Sequence, residues 1–317
     1  MDTNVGEVLD SEAPARATPT HYAGPAHAAH QPCATCGGGA PPSTAAVVSS
    51  KDAGAGTVTT SSTWVYAIGR IEPRFARISV EKEFLQVVAR SSRLKGLTDS
   101  QVRHHVLTNV ENAYLLRQMC WVFSVQGQET YILSPRDPMD LRLLAASVRQ
   151  DPGPGDLDIV IGSKGPVAPA EMCNGLQVPI VFFDQIYSFD RDALLAELPK
   201  REDADAKAVA RAAGELFDRI TLLASNQGRT SPNRALNYLA ARDPELYHAV
   251  ALAHAQDETL SAVDVRLSPL AGPREIFDVI FSFTNRRTAV ISKQFVRVDV
   301  NDEFPFLVTK LSPYYDV

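Results

Sequence analysis

The C-terminal stretch 274–315 constrains the fold most, because it has the most regular alternation of apolar and polar residues in the chain. Apolar side chains recur at every second position from Phe277 to Phe283, which places them on one face of a strand. A second run alternates through 296–300, a third spans 304–311, and short polar links separate the runs. The pattern predicts an antiparallel meander with one apolar face that other parts of the chain must cover.

Helical patterns that precede this stretch can supply the cover. An alanine-rich helical pattern runs through 203–225, and apolar residues recur at helical spacing within it. Ser231 and Asp243 are each followed by a proline, and a capping residue followed by proline is a favoured start of a helix. Helices that cluster before a run of strands favour an α+β fold.

Shorter strand signals lie nearer the N-terminus. Residues 64–68 predict a first strand that Gly69 ends, and the runs 121–125 and 129–133 flank a polar turn and predict a hairpin. The link 151–155, with sequence DPGPG, is the strongest break in pattern after residue 62. It marks a possible subdomain boundary.

Composition excludes several classes of function. The net charge of −6 gives no overall positive charge with which to bind nucleic acid or an anionic membrane. No apolar run reaches the roughly 20 residues of a membrane span. The acidic N-terminus is unlike a secretory signal, so a cytoplasmic location is expected, with the four cysteines reduced.

The first 62 residues differ in composition from the rest. They are rich in Ala, Gly, Pro, Ser and Thr, and Tyr22 is their single aromatic residue. Such a segment buries too little apolar surface to offset the entropy lost on ordering, which predicts a disordered tail over 1–62. Residues 63–317 are expected to fold as one α+β domain.

The tail carries the one local cluster with metal-binding character. His27, His30, Cys33 and Cys36 are spaced as HxxHxxCxxC, and four such ligands can hold zinc tetrahedrally. The same CxxC spacing also occurs in redox dithiols, and an unstructured tail without a ligand remains a third interpretation. In a variant of the zinc hypothesis, Cys120 and Cys173 join Cys33 and Cys36; the alternative is that these two are small buried hydrophobic residues.

The sequence lacks the common catalytic motifs that would indicate an enzyme class. There is no HExxH helix and no GxGxxG after a strand. The turn 162–165, with sequence GSKG, matches neither the phosphate-loop spacing nor the nucleophile elbow. The sequence therefore identifies no catalytic residue and favours a protein without enzymatic activity.

Six stretches carry a resemblance to a known family. They include the sequences VYAIGRIEPRF and YILSPRDP, and they span nearly everything from residue 63 onward: 65–75, 117–121, 131–138, 177–189, 234–240 and 295–316. Together they resemble the C-terminal domain, of unknown function, of PatG-type cyanobactin maturation proteins. In that family the domain follows a subtilisin-like protease, whereas this sequence has no room for one and lacks its triad motifs.

The resemblance implies a role in a pathway that modifies ribosomal peptides, without a reaction to assign. Within the matched stretches, Arg70, Glu72 and Arg74 are expected to flank a proline turn, and Arg136 precedes a helix. These four residues are candidates for a peptide-binding rim, and salt-bridged turn scaffolding is the alternative.

The leading hypothesis is a non-catalytic accessory module that binds a precursor peptide or a partner enzyme. An exposed edge of the meander could bind an extended peptide by strand addition. The alternative hypothesis is a zinc-binding protein or a metal-dependent peptide-modifying enzyme that uses the tail cluster. A third is that the tail is itself a substrate for modification.

Overall fold

The computed structural model describes residues 63–196, 206–223 and 226–315, and all of them lie in one compact unit. The predicted disordered tail 1–62 and its His/Cys cluster lie outside the described residues. Up to residue 190, the elements in chain order are β1 (Trp64–Phe75), α1 (Ile78–Arg90), α2 (Asp99–Thr108), α3 (Ala113–Gln118), β2 (Met119–Val125), β3 (Gln128–Pro135), α4 (Leu141–Ser147), β4 (Asp156–Val167) and β5 (Pro179–Asp190).

The second half contains the remaining described helices and the C-terminal sheet. In chain order these elements are α5 (Arg191–Ala196), α6 (Ala206–Thr221), α7 (Ser231–Arg242), α8 (Pro244–Ala255), β6 (Glu258–Leu267), β7 (Ile276–Asn285), β8 (Ile291–Asp299) and β9 (Phe306–Pro313). The cap of α7 is Thr230, one residue before the predicted Ser231, and its side chain accepts a hydrogen bond from the Asn233 N–H.

Strands β1 to β5 form a closed barrel in the order β1-β2-β3-β5-β4. Neighbouring strands are antiparallel except β3 and β5, which run parallel. The hairpin predicted over 121–125 and 129–133 is present as β2 and β3. The link 151–155, the possible subdomain boundary, connects α4 to β4, and strands on both sides of it pair within this one barrel.

Gly69 lies at a corner of the barrel and does not end the first strand. Residues 64–69 of β1 pair with β4, and residues 70–75 pair with β2. A Cβ atom at Gly69 would overlap the carbonyl oxygen of Ser124, so only glycine fits where β1 changes partner. The prediction that Gly69 stops the strand was wrong because glycine here allows a close approach of two backbones.

Two backbone N–H groups of β1 that do not pair with a neighbouring strand donate hydrogen bonds to other parts of the protein. The Tyr66 N–H donates to the Gly228 carbonyl oxygen at 3.0 Å. Further along the strand, the Ile71 N–H donates to Asp158 Oδ2 at 2.8 Å. The barrel therefore uses its own segments to bind backbone groups that could otherwise pair with another chain.

The predicted meander is present, extended by one strand at its start. Strands β6, β7, β8 and β9 pair antiparallel in sequence order. The buried Phe277 of β7 is opposite Val298 of β8, and Val279 is opposite Val296, as the alternation requires. Helices and two mostly antiparallel sheets confirm the α+β class.

The outer face of the barrel and the C-terminal sheet share one hydrophobic core. Tyr66 and Ile68 of β1 pack into it with α6, α7, α8, β7 and β8. The alternate residues Val65 and Ala67 face a second core that α1 to α4 complete. Because both faces of β1 are buried, its sequence reads as a continuous apolar run.

Cys120 and Cys173 form a disulfide, with their Cα atoms 5.5 Å apart. Both side chains are buried in a small cluster between β2 and the link that joins β4 to β5. This corrects the expectation that all four cysteines are reduced and that these two are separate buried hydrophobic residues. The physical reason is that the β4–β5 link folds back on β2 and brings together residues 53 positions apart.

Candidate functional site

The outer side of β9, called the β9 edge here, is the least protected strand edge of the described fold. Among the described strands, β9 pairs with β8 alone. Phe304, Phe306, Leu307 and Val308 lie at its start with side chains between 36% and 49% exposed. Backbone groups at a sheet end beside exposed apolar side chains can accept a further strand.

The opposite end of the same sheet is better protected. The Arg219 guanidinium of α6 donates to the carbonyl oxygen of Leu260 at 2.7 Å and to that of Ser261. The register of β6 also shifts between Leu260 and Ala262, which marks a bulge. Exposed charges on β6, such as Asp264, add to this protection. The β9 edge is therefore the better candidate for strand addition.

Helix α7 positions the start of β9 through Arg234, a fully buried arginine. Its Nη1 donates to the Val300 carbonyl oxygen at 2.7 Å, and its Nη2 donates to those of Glu303 at 3.0 Å and Asp302. Burial lowers the pKa of Arg234 to about 10, against the opposing effect of nearby acids that begins with Glu275. The guanidinium stays charged at neutral pH and holds the β8–β9 loop.

A second residue of α7 contacts β9 directly. The Leu307 N–H donates to the Tyr238 hydroxyl oxygen. The Tyr238 ring also makes an edge-on contact with Tyr66 of the barrel, with ring centroids 6.2 Å apart. The start of β9 is therefore connected to the barrel through α7.

Three of the four predicted peptide-binding residues come together on β1, away from any turn. Arg70, Glu72 and Arg74 alternate on the outward side of the strand and line a cleft of 610 Å³. The expected proline turn was wrong, because Pro73 lies inside β1, paired opposite Trp121.

All three of these side chains have partners within the protein. Arg70 donates to the Pro154 carbonyl oxygen, Arg74 forms an ion pair with Glu129, and Arg74 Nη2 lies 3.4 Å from Glu72 Oε2. Such exposed ion pairs contribute only about 0–1 kcal/mol each, so a ligand could replace them at little cost.

The far wall of this cleft belongs to α5 and α6. Arg191 Nη2 donates to Asp218 Oδ2 at 2.7 Å, and the guanidinium lies over the Phe217 ring at 5.8 Å from its centroid. Phe217 and Leu222 give the cleft an apolar portion. The cleft thus combines apolar surface with balanced charges that are already paired.

Arg136 lies at a different place, at the seam between the barrel and the C-terminal sheet. Its Nη2 donates to Ser163 Oγ at 3.1 Å and lies 2.8 Å from Asp184 Oδ2. Its guanidinium also lies over the Trp64 ring, 5.9 Å from the centroid. The four predicted residues therefore do not form one rim.

Asp184 and Glu303 meet beside Arg136. Asp184 is the extra residue where the β4–β5 register shifts, and Glu303 lies in the loop that leads to β9. The two carboxyl groups are within hydrogen-bonding distance of each other. Burial, then the hydrogen bond with Asp184 and its charge, raise the pKa of Glu303 to about 7.

Sequence reasoning missed Arg234, Asp184 and Glu303. Asp184 interrupts the apolar run 178–189, and a lone acid in a buried strand is a usable signal. Arg234 lies in a stretch already singled out, but no local pattern shows that an arginine on a helix binds three carbonyl groups some 66 residues away.

The metal hypothesis gains no support from the described residues. His27, His30, Cys33 and Cys36 lie outside them, and within 63–196, 206–223 and 226–315 no three His, Cys, Asp or Glu side chains are grouped to hold a metal ion. The proposed alternative ligands Cys120 and Cys173 are joined in the disulfide, which leaves no thiolate to bind zinc.

No helix in the described part of the chain is both long enough and apolar enough to span a membrane.

Comparisons with known proteins confirm the resemblance predicted from the sequence. Residues 203–314 match a family model described as PatG C-terminal. A solved structure named "PatG Domain of Unknown Function" is similar over 79% of this chain and 98% of that chain, with a TM-score of 0.63 and 20% sequence identity. At that identity the likeness shows a shared fold. No curated protein matches the chain.

Proposed function

We propose that this chain is an accessory module that binds a polypeptide by strand addition at the β9 edge and catalyses no reaction of its own. The observation that carries the proposal is the β9 edge itself, an outer strand with one strand partner and exposed apolar side chains. The resemblance to PatG C-terminal domains supports a role in a pathway that matures ribosomal peptides.

Strand addition suits a module that must accept peptides of differing sequence. Main-chain N–H and C=O groups of β9 would pair with those of the incoming segment, and such bonds do not depend on the side chains of the peptide. Alternate side chains of the peptide would contact the exposed Phe306 and Val308 and add a preference for apolar residues. The expected ligand is an extended, partly apolar segment of a precursor peptide or of a partner enzyme.

The barrel is a poorer acceptor of such a segment. Each of its strands has two strand neighbours. Gly228 and Asp158 also accept hydrogen bonds from the two β1 N–H groups, those of Tyr66 and Ile71, that are not paired with another strand. The β1 cleft remains a second candidate surface for the same polypeptide, because Arg70, Glu72 and Arg74 line it.

A charge-substitution experiment tests the proposal. The double variant Phe306→Lys/Val308→Lys places two charges on the β9 edge, where lysine discourages pairing. The matched control Leu267→Lys changes a residue that is 61% exposed at the end of β6. Binding is measured by calorimetry with a synthetic extended peptide of alternating apolar and polar residues.

We expect the control to bind the peptide as the unmodified chain does and the double variant to lose at least about tenfold in affinity, which corresponds to about 1.4 kcal/mol. Equal binding by both variants would refute strand addition at β9. Loss of binding in Arg70→Ala/Arg74→Ala alone would move the site to the β1 cleft.

A second candidate function is zinc binding by the N-terminal cluster. The HxxHxxCxxC spacing of His27, His30, Cys33 and Cys36 favours it, because these side chains supply four ligands of the types that zinc accepts. Elemental analysis of protein purified without a metal-affinity tag should find one zinc per chain, and the Cys33→Ser/Cys36→Ser variant should lack it. Metal-free unmodified protein would refute this function.

A further inference from the structure

The seam between the barrel and the C-terminal sheet contains two carboxyl groups that each have one buried oxygen without a hydrogen bond. Asp184 Oδ2 and Glu303 Oε1 are sealed from solvent, and neither accepts a hydrogen bond from a described residue. Arg136 approaches Asp184 Oδ2 at 2.8 Å as an ion pair, but its hydrogen bond goes to Ser163 Oγ. Two ionised carboxylates in contact would repel each other, whereas one proton between them satisfies both oxygens.

We propose that Asp184 and Glu303 share one proton across this seam, and that its loss as the pH rises loosens the residues just before β9. This deepens the proposed function and rests on it for its consequence for binding, since the loosened residues adjoin the same β9 edge. Glu303 lies three positions before Phe306, the first residue of β9.

The positive charges around the pair oppose the protonation of Glu303, but only in part. Arg136, from the segment after β3, and Arg234, from α7, both stabilise the ionised form of Glu303. Arg234, however, directs its donors to backbone carbonyl groups, including that of Glu303. Its charge is also shared with the acids Glu275 and Asp302, so it compensates Glu303 only in part.

The effect of pH has a definite sign. Because burial and Asp184 raise the pKa of Glu303 from 4.5 to about 7, the folded seam binds the proton more tightly than the loosened residues do. The contact is therefore fully stabilising below pH 4.5 and weakens as the pH rises through about 7. Arg234 keeps its hold on the loop backbone throughout this range, so the change is confined to the residues just before β9.

The test is amide hydrogen exchange of the full chain at pH 6 and pH 8, corrected for intrinsic exchange rates. In the unmodified protein, protection of the Phe304 and Phe306 amides should fall by up to about tenfold from pH 6 to pH 8, as linkage predicts for a carboxyl group with this raised pKa. In Glu303→Gln, an amide N–H donates to Asp184 in place of the shared proton and does not titrate. Its protection should be equal at the two pH values.

Asp264→Asn is the control, because this exposed acid of β6 is not among the charged groups that act on Glu303 and its removal should leave the pH dependence unchanged. The proposal is overturned if Glu303→Gln shows the same fall as the unmodified chain, or if neither shows one. Exchange is measured without any peptide, so this result is independent of whether the β9 edge binds one. Peptide binding lost in Phe306→Lys/Val308→Lys would still support the proposed function on its own.

Discussion

In the barrel, backbone groups that β1 leaves unpaired are bound inside the protein, whereas in the C-terminal sheet the outer side of β9 has no described strand beside it. Gly228 and Asp158 bind two N–H groups of β1, and every barrel strand, β1 included, has a neighbouring strand on each side. The sheet ends instead on a strand with exposed apolar side chains. The barrel is thus built to exclude a further strand and the sheet is able to accept one.

The acids of the two regions differ in the same way. Asp158 in the barrel is fully buried and accepts hydrogen bonds from the Ile71 N–H at 2.8 Å, from Arg149 Nη2 at 3.0 Å and from Ser188 Oγ at 2.7 Å. Asp184 and Glu303 at the seam each have one buried oxygen without a hydrogen bond, although Asp184 Oδ2 forms an ion pair with Arg136. A fully satisfied acid stabilises one structure, while an unsatisfied pair responds to pH.

The largest effect is expected from removing the satisfied acid. Asp158→Ala would leave the Ile71 N–H unbound and deprive Arg149 of one of its two carboxylate partners, since Asp156 at 3.1 Å is the other. We expect the free energy of unfolding to fall by about 3–5 kcal/mol in urea denaturation. Asp264→Ala, at an exposed acid of β6, is the control. If Asp158→Ala lowered the free energy of unfolding no more than the control does, the claim that Asp158 stabilises the barrel would be contradicted.

Reduction of the disulfide should have the next largest effect. Opening the Cys120–Cys173 bond removes a constraint on the unfolded chain across 53 positions and should lower the free energy of unfolding by about 2–4 kcal/mol. The measurement is denaturation with and without a reducing agent. The Cys120→Ser/Cys173→Ser variant should not respond to the agent, and an intact mass that shows two free thiols in the oxidised sample would contradict the pairing.

The pH dependence of stability separates the seam from the barrel. With the pKa of Glu303 raised to about 7, the unmodified chain should lose stability from this group as the pH rises from about 4.5 to 7. Glu303→Gln should lose less over that range, and the difference between the two curves isolates the group. Parallel curves would show that the seam does not titrate there.

The smallest effect on stability should come from the β9 edge. Phe306→Lys/Val308→Lys changes side chains that are 48% and 39% exposed and should alter the free energy of unfolding by no more than about 0.5 kcal/mol per site. A loss of several kcal/mol in thermal or urea unfolding would mean that these side chains are needed for the stability of the fold. A loss of peptide binding in this variant would then be explained by unfolding and not by a blocked β9 edge.

Local pattern was enough to predict the parts of the fold made by near neighbours in sequence. The period-two alternation around Phe277 and Val298 gave the meander, and the runs around a polar turn gave the hairpin of β2 and β3. Barrel closure could not be predicted, because it depends on pairing β1 with β4 and on the parallel contact of β3 with β5. These pairings join residues far apart, and nothing in a single strand specifies its distant partner.

The candidate site shows the same limit. The sequence predicted that an edge of the meander could bind a peptide, but not which end was protected, since that depends on Arg219 of α6 reaching β6. It grouped Arg136 with Arg70 because both lie in matched stretches, whereas the fold separates them. Side chains such as Arg234, which act on distant backbone groups, leave no local signature.

Amide exchange of β9 in the presence of a synthetic extended peptide of alternating apolar and polar residues tests the central claim most directly. If the β9 edge accepts a strand, the β9 amides that bond neither to β8 nor to Tyr238 should gain protection on peptide addition, and Phe306→Lys/Val308→Lys should abolish the gain. If the peptide binds while those amides are unchanged and protection appears around the β1 cleft instead, strand addition at β9 is contradicted.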